Sequence, residues 1–268
     1  MPLPFNVTLA RNAVPILVSV PHCGVTFPAE IRDNFDPKLI QAPDDTDWFV
    51  DRLYDFAPGM GISMISAVYS RWVIDLNRDP ERKPLYSDGR IITALCPTTT
   101  FLGEPLYRGN RTHVSDSDVE ARLQRYYWPY HRQLESMLVE LTSRFGKVLL
   151  WDCHSIRQVV PTIQKDKFPD LILGNADEKS ASAELIQSAL NSLGSAAYAL
   201  RHNHPFKGGY ITRTYGQPAR GWNALQLEMT KLNYMDDSEQ NYDEGRANRM
   251  RELLKKTFGG LAEELMKN

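Results

Sequence analysis

Two histidines stand at the ends of apolar runs: His22 after Val14-Pro15-Ile16-Leu17-Val18-Ser19-Val20, and His154 after Val148-Leu149-Leu150-Trp151. Each run is short and aliphatic and leads into a small polar tetrapeptide, Pro21-His22-Cys23-Gly24 or Asp152-Cys153-His154-Ser155. That pattern reads as a buried strand and the turn that ends it. Open α/β sheets place their chemistry at such carboxyl edges, and two imidazoles there point to a metal ion. A catalytic zinc site with two neutral imidazoles takes an anionic third ligand and keeps one position open for water. Asp45 and Asp47 are the candidates for that ligand. Both also fall at the expected start of a helix, where a carboxylate caps backbone N–H groups without any metal. Asp152, two residues before His154, can orient a ligand from behind or simply form a turn.

Five more residues carry charge or an amide where it is costly or useful. Arg71 interrupts the apolar run Tyr69–Leu76, which is unfavourable unless its guanidinium meets an anion or solvent; by spacing, Asp75 or Asp79 is an internal partner as readily as a substrate is. Asn77-Arg78 closes the same run and can grip a carboxylate through the arginine fork. Glu228 stands inside Leu225-Gln226-Leu227-Glu228-Met229, where partial burial raises a carboxyl pKa towards neutrality, as suits a general base; the alternative is an edge-facing glutamate with its charge in water. Arg213 follows the flexible pair Gly208-Gly209 and is a further substrate clamp, whereas Lys207 and His204 read as surface residues. Cys23 and Cys153 adjoin the key histidines but form no CxxC pair, so both read as small buried fillers. The sequence contains no phosphate-binding loop, GxGxxG fingerprint or GxSxG elbow.

These groups need a scaffold. Expected strands are 14–20, 62–65, 68–76, the run leading to His154, 171–173, 197–200 and 224–229. Expected helices run from Trp48 to Pro58-Gly59, over 117–144 with a bend at Pro129, over 180–193, and from about Asp243. The stretch 78–117 reads as a long surface excursion of the kind that is usually functional. The alternation predicts a single α/β domain over 1–268, with a central mixed, mainly parallel sheet covered by helices on both faces. At 268 residues and 42% hydrophobic content the chain can bury one large core. Its 31 basic and 33 acidic residues give a net charge of −2, so nothing global recruits nucleic acid or an anionic membrane, and the expected partner is a small molecule. The N-terminus lacks the pattern of a signal peptide, and no apolar run approaches the roughly 20 residues of a spanning helix. Three cysteines fit a reducing cytoplasm better than a disulfide framework.

Taken together, Ser19–Gly24, Pro43–Trp48, Tyr69–Arg78, Leu150–Arg157, Phe206–Arg213 and Leu225–Glu228 resemble the N-formylglutamate amidohydrolase family over residues 14 to about 235. The family is similar in fold to zinc carboxypeptidases and other phosphorylase/hydrolase-like proteins, whose functional groups come in the order His, Glu, Arg, Asn-Arg, His, Glu. Here the order reads His22, an acidic residue, Arg71, Asn77-Arg78, His154, Glu228. The departure is the second ligand: the carboxypeptidase glutamate falls on Val25, so the carboxylate must come from elsewhere, with Asp47 preferred and Asp45 in reserve.

The resemblance implies zinc-dependent hydrolysis of N-formyl-L-glutamate to formate and L-glutamate, a step of histidine degradation. It implies zinc on His22, Asp47 and His154, Glu228 as proton acceptor, and Arg71 on the carbonyl oxygen. Asn77, Arg78 and Arg213 would hold the acidic N-acyl amino acid. Competing readings are a related amidohydrolase for another acyl group and a non-catalytic protein that binds an acidic ligand.

Overall fold

The apolar runs that lead to the two histidines pair directly with each other. The computed structural model describes residues 3–83, 93–110 and 112–267. In chain order its elements are β1 (Phe5–Thr8), β2 (Ile16–Val20), α1 (Ala29–Arg32), α2 (Val50–Leu53), β3 (Ser63–Ala67), α3 (Asp116–Arg122), α4 (Trp128–Phe145), β4 (Val148–Ile156), β5 (Leu171–Gly174), α5 (Ala183–Leu193), β6 (Leu200–His202), α6 (Tyr210–Tyr215), β7 (Trp222–Thr230) and α7 (Glu244–Met266). One seven-stranded sheet has the order β1-β3-β2-β4-β7-β5-β6. Its centre, β3-β2-β4-β7, is parallel. β1 joins β3 antiparallel, β5 joins β7 antiparallel, and β6 is parallel to β5. This is the mixed α/β sheet expected from the alternation of elements.

The two-residue pleat sorts the core into two layers. Ile16, Val18, Val20, Trp151, Leu225 and Leu227 pack with α2, α5 and α7, while Leu17, Leu150 and Ala224 pack with α4 and Ile211 of α6. By the same alternation Ser19, Asp152, His154, Gln226 and Glu228 share the second face. Ser19 and Asp152 prove it by reaching α4 and α6: Ser19 Oγ lies 2.9 Å from Tyr130 Oη, and Thr212 Oγ1 donates to Asp152 at 3.3 Å. Helix starts follow the expected chemistry, with Ser115, Ser182 and Asp243 accepting N–H bonds in the first turns of α3, α5 and α7. Among the described residues no helix is long and apolar enough to cross a membrane.

Several elements depart from the expectation, each for a local reason. Residues 68–76 form no strand: Ser70 turns the chain back through Val73 N–H to Ser70 O (2.9 Å) and Trp72 N–H to Ser70 Oγ (3.2 Å), and Arg71 pairs with Asp75 four residues on. The helix expected from Trp48 shrinks to α2, because Phe49 at its start adopts a left-handed φ of 61°. β4 runs through Ile156, so His154 lies inside the strand rather than after it. Gly208-Gly209 leads into a short helix, α6, which the sequence pattern did not anticipate. The helix containing Pro129 carries a π turn over Leu123–Tyr127 immediately before it, which accommodates a residue that has no N–H to give. β1 was not anticipated: it is four residues long, and of these only Phe5 is buried. Residues 84–92 and 111 of the excursion lie outside the described residues.

Candidate active site

His22, Asp47 and His154 converge at the C-terminal ends of β2 and β4, beside a cavity of about 330 Å³. The turn carrying Asp47 is hooked to the first histidine by an N–H···O bond of 3.0 Å from Asp47 N to His22 O. Asp47 Oδ2 lies 3.7 Å from His22 Nδ1 and 3.1 Å from His154 Nδ1. All three residues are buried, at 1–3% exposure. Among the described residues His22 Nδ1 has no hydrogen-bond partner, which costs on the order of 1–3 kcal/mol in a buried group unless a ligand meets it.

Behind each ring stands a second carboxylate. His22 Nε2 is 2.7 Å from Asp75 Oδ1, and His154 Nε2 is 3.1 Å from Asp152 Oδ2. With the proton on Nε2 facing these carboxylates, each Nδ1 lone pair points to the convergence point, which is how metal-binding histidines are commonly oriented. Burial alone would raise the carboxyl of Asp47, yet the neighbouring His154 and His22 rings outweigh it and hold its pKa well below the ordinary range. Burial likewise disfavours the charged form of His154, and Asp152 and Asp47 overcome it and raise its pKa. The site thus has negative charge to spare for a cation, and its two-nitrogen, one-oxygen donor set fits zinc.

Asp45 is committed elsewhere. Its Oδ2 accepts Trp72 Nε1–H at 2.8 Å, and its Oδ1 accepts Phe101 N–H at 3.0 Å. Of the two candidate carboxylates, the structure therefore places Asp47 and not Asp45 beside the histidines.

Glu228 lines the same cavity from β7. Burial pushes its carboxyl up to about 8, with neighbouring Asp47 adding to the effect against His154 and Arg71. Gln226 Nε2, two residues earlier on the same face, lies 3.4 Å from Glu228 Oε2. Arg71 reaches the cavity although it pairs internally: Nη2 donates to Asp75 Oδ2 at 2.7 Å and the guanidinium sits 4.8 Å from the Phe101 ring centre. Arg78 also lines the cavity, with Nε donating to Thr93 O at 3.0 Å and Nη2 to Thr93 Oγ1 at 2.9 Å.

This constellation can be compared with known proteins. The sequence profile of the N-formylglutamate amidohydrolase family matches residues 14–235. The chain belongs to that family. It is 39% identical over 232 residues to an N-formylglutamate deformylase of Pseudomonas putida, covering 85% of each chain. It is 41% identical to the N-formylglutamate deformylase of Pseudomonas aeruginosa, covering 85% of this chain and 84% of that one. Among solved structures, an N-formylglutamate amidohydrolase from Ralstonia eutropha JMP134 superposes with a TM-score of 0.80 at 27% identity over 98% of both chains. A gene product of Agrobacterium tumefaciens shares the fold with a TM-score of 0.74 at 18% identity, over 97% of this chain and 96% of that one.

In this N-formylglutamate amidohydrolase family member, not every residue singled out from the sequence reaches the cavity. Arg213 is exposed on α6, with Nε donating to Gly208 O at 2.9 Å, and Lys207 pairs with Asp177 at the surface. Cys23, Cys96 and Cys153 are free thiols, and burial raises the pKa of Cys23 and Cys153. Other residues went unread as site residues. Asp75 had been considered only as a partner for Arg71, although it stands two residues before Asn77 just as Asp152 stands two before His154. Gln226 shares the strand face of Glu228, a signal present in the period of β7. Thr98–Phe101 line the cavity from the excursion and are held there by Thr100 N–H to Glu104 O (2.9 Å) and by the bond from Phe101 N–H to Asp45; nothing in their composition announces this.

Proposed function

We propose that the protein hydrolyses the formamide bond of N-formyl-L-glutamate, releasing formate and L-glutamate, and that it does so with one zinc ion on His22 Nδ1, Asp47 Oδ2 and His154 Nδ1. The observation that carries this reading is the convergence of those three buried atoms, one of them without a partner, on a cavity that also exposes Glu228 and Arg71. The two curated relatives named above are N-formylglutamate deformylases.

Bound there, zinc supplies a Lewis acid that polarises the formyl carbonyl and makes water nucleophilic near neutral pH. The chain's own groups do the rest. Glu228, opposite His154, accepts a proton from the attacking water as its oxygen bonds to the formyl carbon. It then delivers that proton to the amide nitrogen as the C–N bond breaks. A carboxyl held high by burial suits both halves of this transfer, since it is neither too weak a base nor too weak an acid. Arg71, fixed by Asp75 on one side and Phe101 on the other, presents its remaining donors to the carbonyl oxygen as negative charge develops there. Arg78, which also lines the cavity, offers its guanidinium to a substrate carboxylate.

The direct test follows formate release from N-formyl-, N-acetyl- and N-succinyl-L-glutamate with protein whose metal content is measured in parallel. We expect about one zinc per chain, a clear preference for the formyl substrate, and loss of activity on chelation that added zinc reverses. A metal-free sample that retains full deformylase activity overturns the zinc reading, and a metal-replete sample inert towards all three substrates overturns the activity.

A further inference from the structure

Asn77 lines the cavity beside Arg78, yet the residue is only 3% exposed and both ends of its amide are occupied. Asn77 Oδ1 accepts Ile211 N–H, in the first turn of α6, at 2.8 Å. That bond fixes the amide orientation and aims Nδ2 at the rear of the second histidine, 2.9 Å from His154 Nε2 and 3.4 Å from Asp152 Oδ2. When Nε2 carries its proton, Nδ2 donates to Asp152; otherwise it donates to the ring. In the first state Asp152 Oδ2 accepts from both Asn77 Nδ2 and His154 Nε2 and couples the amide to the ring; in the second Nδ2 holds the ring directly. The backbone of the same residue serves the first histidine, since Asn77 N–H donates at 2.9 Å to Asp75 Oδ1, the oxygen that meets His22 Nε2. Gly209 completes the fit: a Cβ there would fall 2.3 Å from Asn77 Nδ2, so the amide and the entry to α6 interlock without room to spare.

We infer that Asn77 is a positioning residue for His154, tying that imidazole and Asp152 to the start of α6, and that it is not a contact for the substrate carboxylate. The inference rests on the metal reading above and reassigns one residue within it. Removing partners that sit behind metal ligands typically weakens metal binding 10–100-fold, whereas removing a substrate contact raises KM and leaves metal affinity alone.

The test measures zinc affinity of the metal-stripped protein by competition with a chromophoric chelator, and kcat and KM of the zinc-loaded protein, for the wild type, Asn77→Ala and Gly209→Ala. Gly209→Ala leaves the Asn77 side chain present and presses on it from α6, so it serves if Asn77→Ala folds poorly. We expect zinc affinity to fall about 10–100-fold in both variants, with kcat reduced and KM changed less than about threefold. Unchanged zinc affinity with KM raised tenfold or more in Asn77→Ala overturns the inference while leaving the proposed function standing. A wild-type protein that binds no zinc overturns both.

Discussion

His154 and Glu228 stand directly opposite each other across the parallel β4–β7 pair. An imidazole of the proposed metal site and a carboxylate of raised pKa are thereby held side by side on one pleated face, at a separation set by strand spacing rather than by loop conformation. Strands are stiffer than loops, so the proposed proton acceptor is pre-positioned beside that imidazole.

In the proposed mechanism Glu228→Gln removes the proton carrier and keeps the geometry. We expect kcat to drop roughly 10²–10⁴-fold with zinc content unchanged, as read by steady-state kinetics alongside elemental analysis. Burial raises the carboxyl to about 8, and a cation at the neighbouring site works in the opposite direction. The acidic limb of the wild-type pH–rate profile should therefore lie below about 8 and be lost from the residual activity of Glu228→Gln.

Asp45 and Asp47 are two residues apart and should separate cleanly. Asp47→Ala removes the oxygen between the two imidazoles, and we expect no stoichiometric zinc after metal-replete purification. Asp45→Asn leaves that trio intact and replaces one of the oxygens that hold Phe101 and Trp72. Its zinc content should equal the wild type, with KM raised several-fold as the Thr98–Phe101 wall of the cavity loosens. Equal zinc loss in both variants would contradict the placement.

Arg71 has two jobs that different readouts distinguish. Arg71→Ala should lower kcat about 10²–10³-fold through loss of a carbonyl-oxygen donor. It should also destabilise the fold by roughly 3 kcal/mol, because Asp75 stays buried with one partner fewer. Arg71→Lys restores a charge without the planar fork, so stability should recover more than kcat does. Chemical unfolding and kinetics on the two variants check this.

His131 gives the protein an acid-sensitive point away from the site. It is buried, its Nε2–H donates to Leu76 O at 2.9 Å and its Nδ1 lies 3.0 Å from Tyr215 Oη. Burial pushes its pKa down to about 4 from an ordinary 6.5. The folded pKa is depressed, so the contribution is fully present above about 6.5 and is lost as pH falls towards 4, where the unfolded chain binds a proton that the folded one refuses. Between pH 7 and pH 5 the loss is about 2 kcal/mol. Urea unfolding at the two pH values should show a difference smaller by that amount in His131→Gln.

Much of the scaffold was legible from the chain. The aliphatic runs before His22 and His154 and through Leu225–Met229 are buried strands, because a parallel sheet covered on both faces demands continuous apolar sequence. The caps Ser115, Ser182 and Asp243 begin helices near their expected starts, because backbone N–H groups there need acceptors. The residue types for a metal site and a proton carrier were likewise visible, since charge and imidazole inside apolar runs are costly without a purpose.

Other features depended on groups that are distant in sequence. Which aspartate faces the histidines is decided by Phe101 and Trp72, which bind Asp45 from 56 and 27 residues away. The run 68–76 has the composition of a strand but forms a turn, because Asp75 is claimed at once by Arg71 and His22. Asn77 reads as a substrate contact until α6 arrives, 134 residues later, to occupy its carbonyl. Composition and period determine which segments are buried and on which face; the partner of a buried polar group is set by whatever the fold brings within about 3 Å of it, and that was decided only by the tertiary structure.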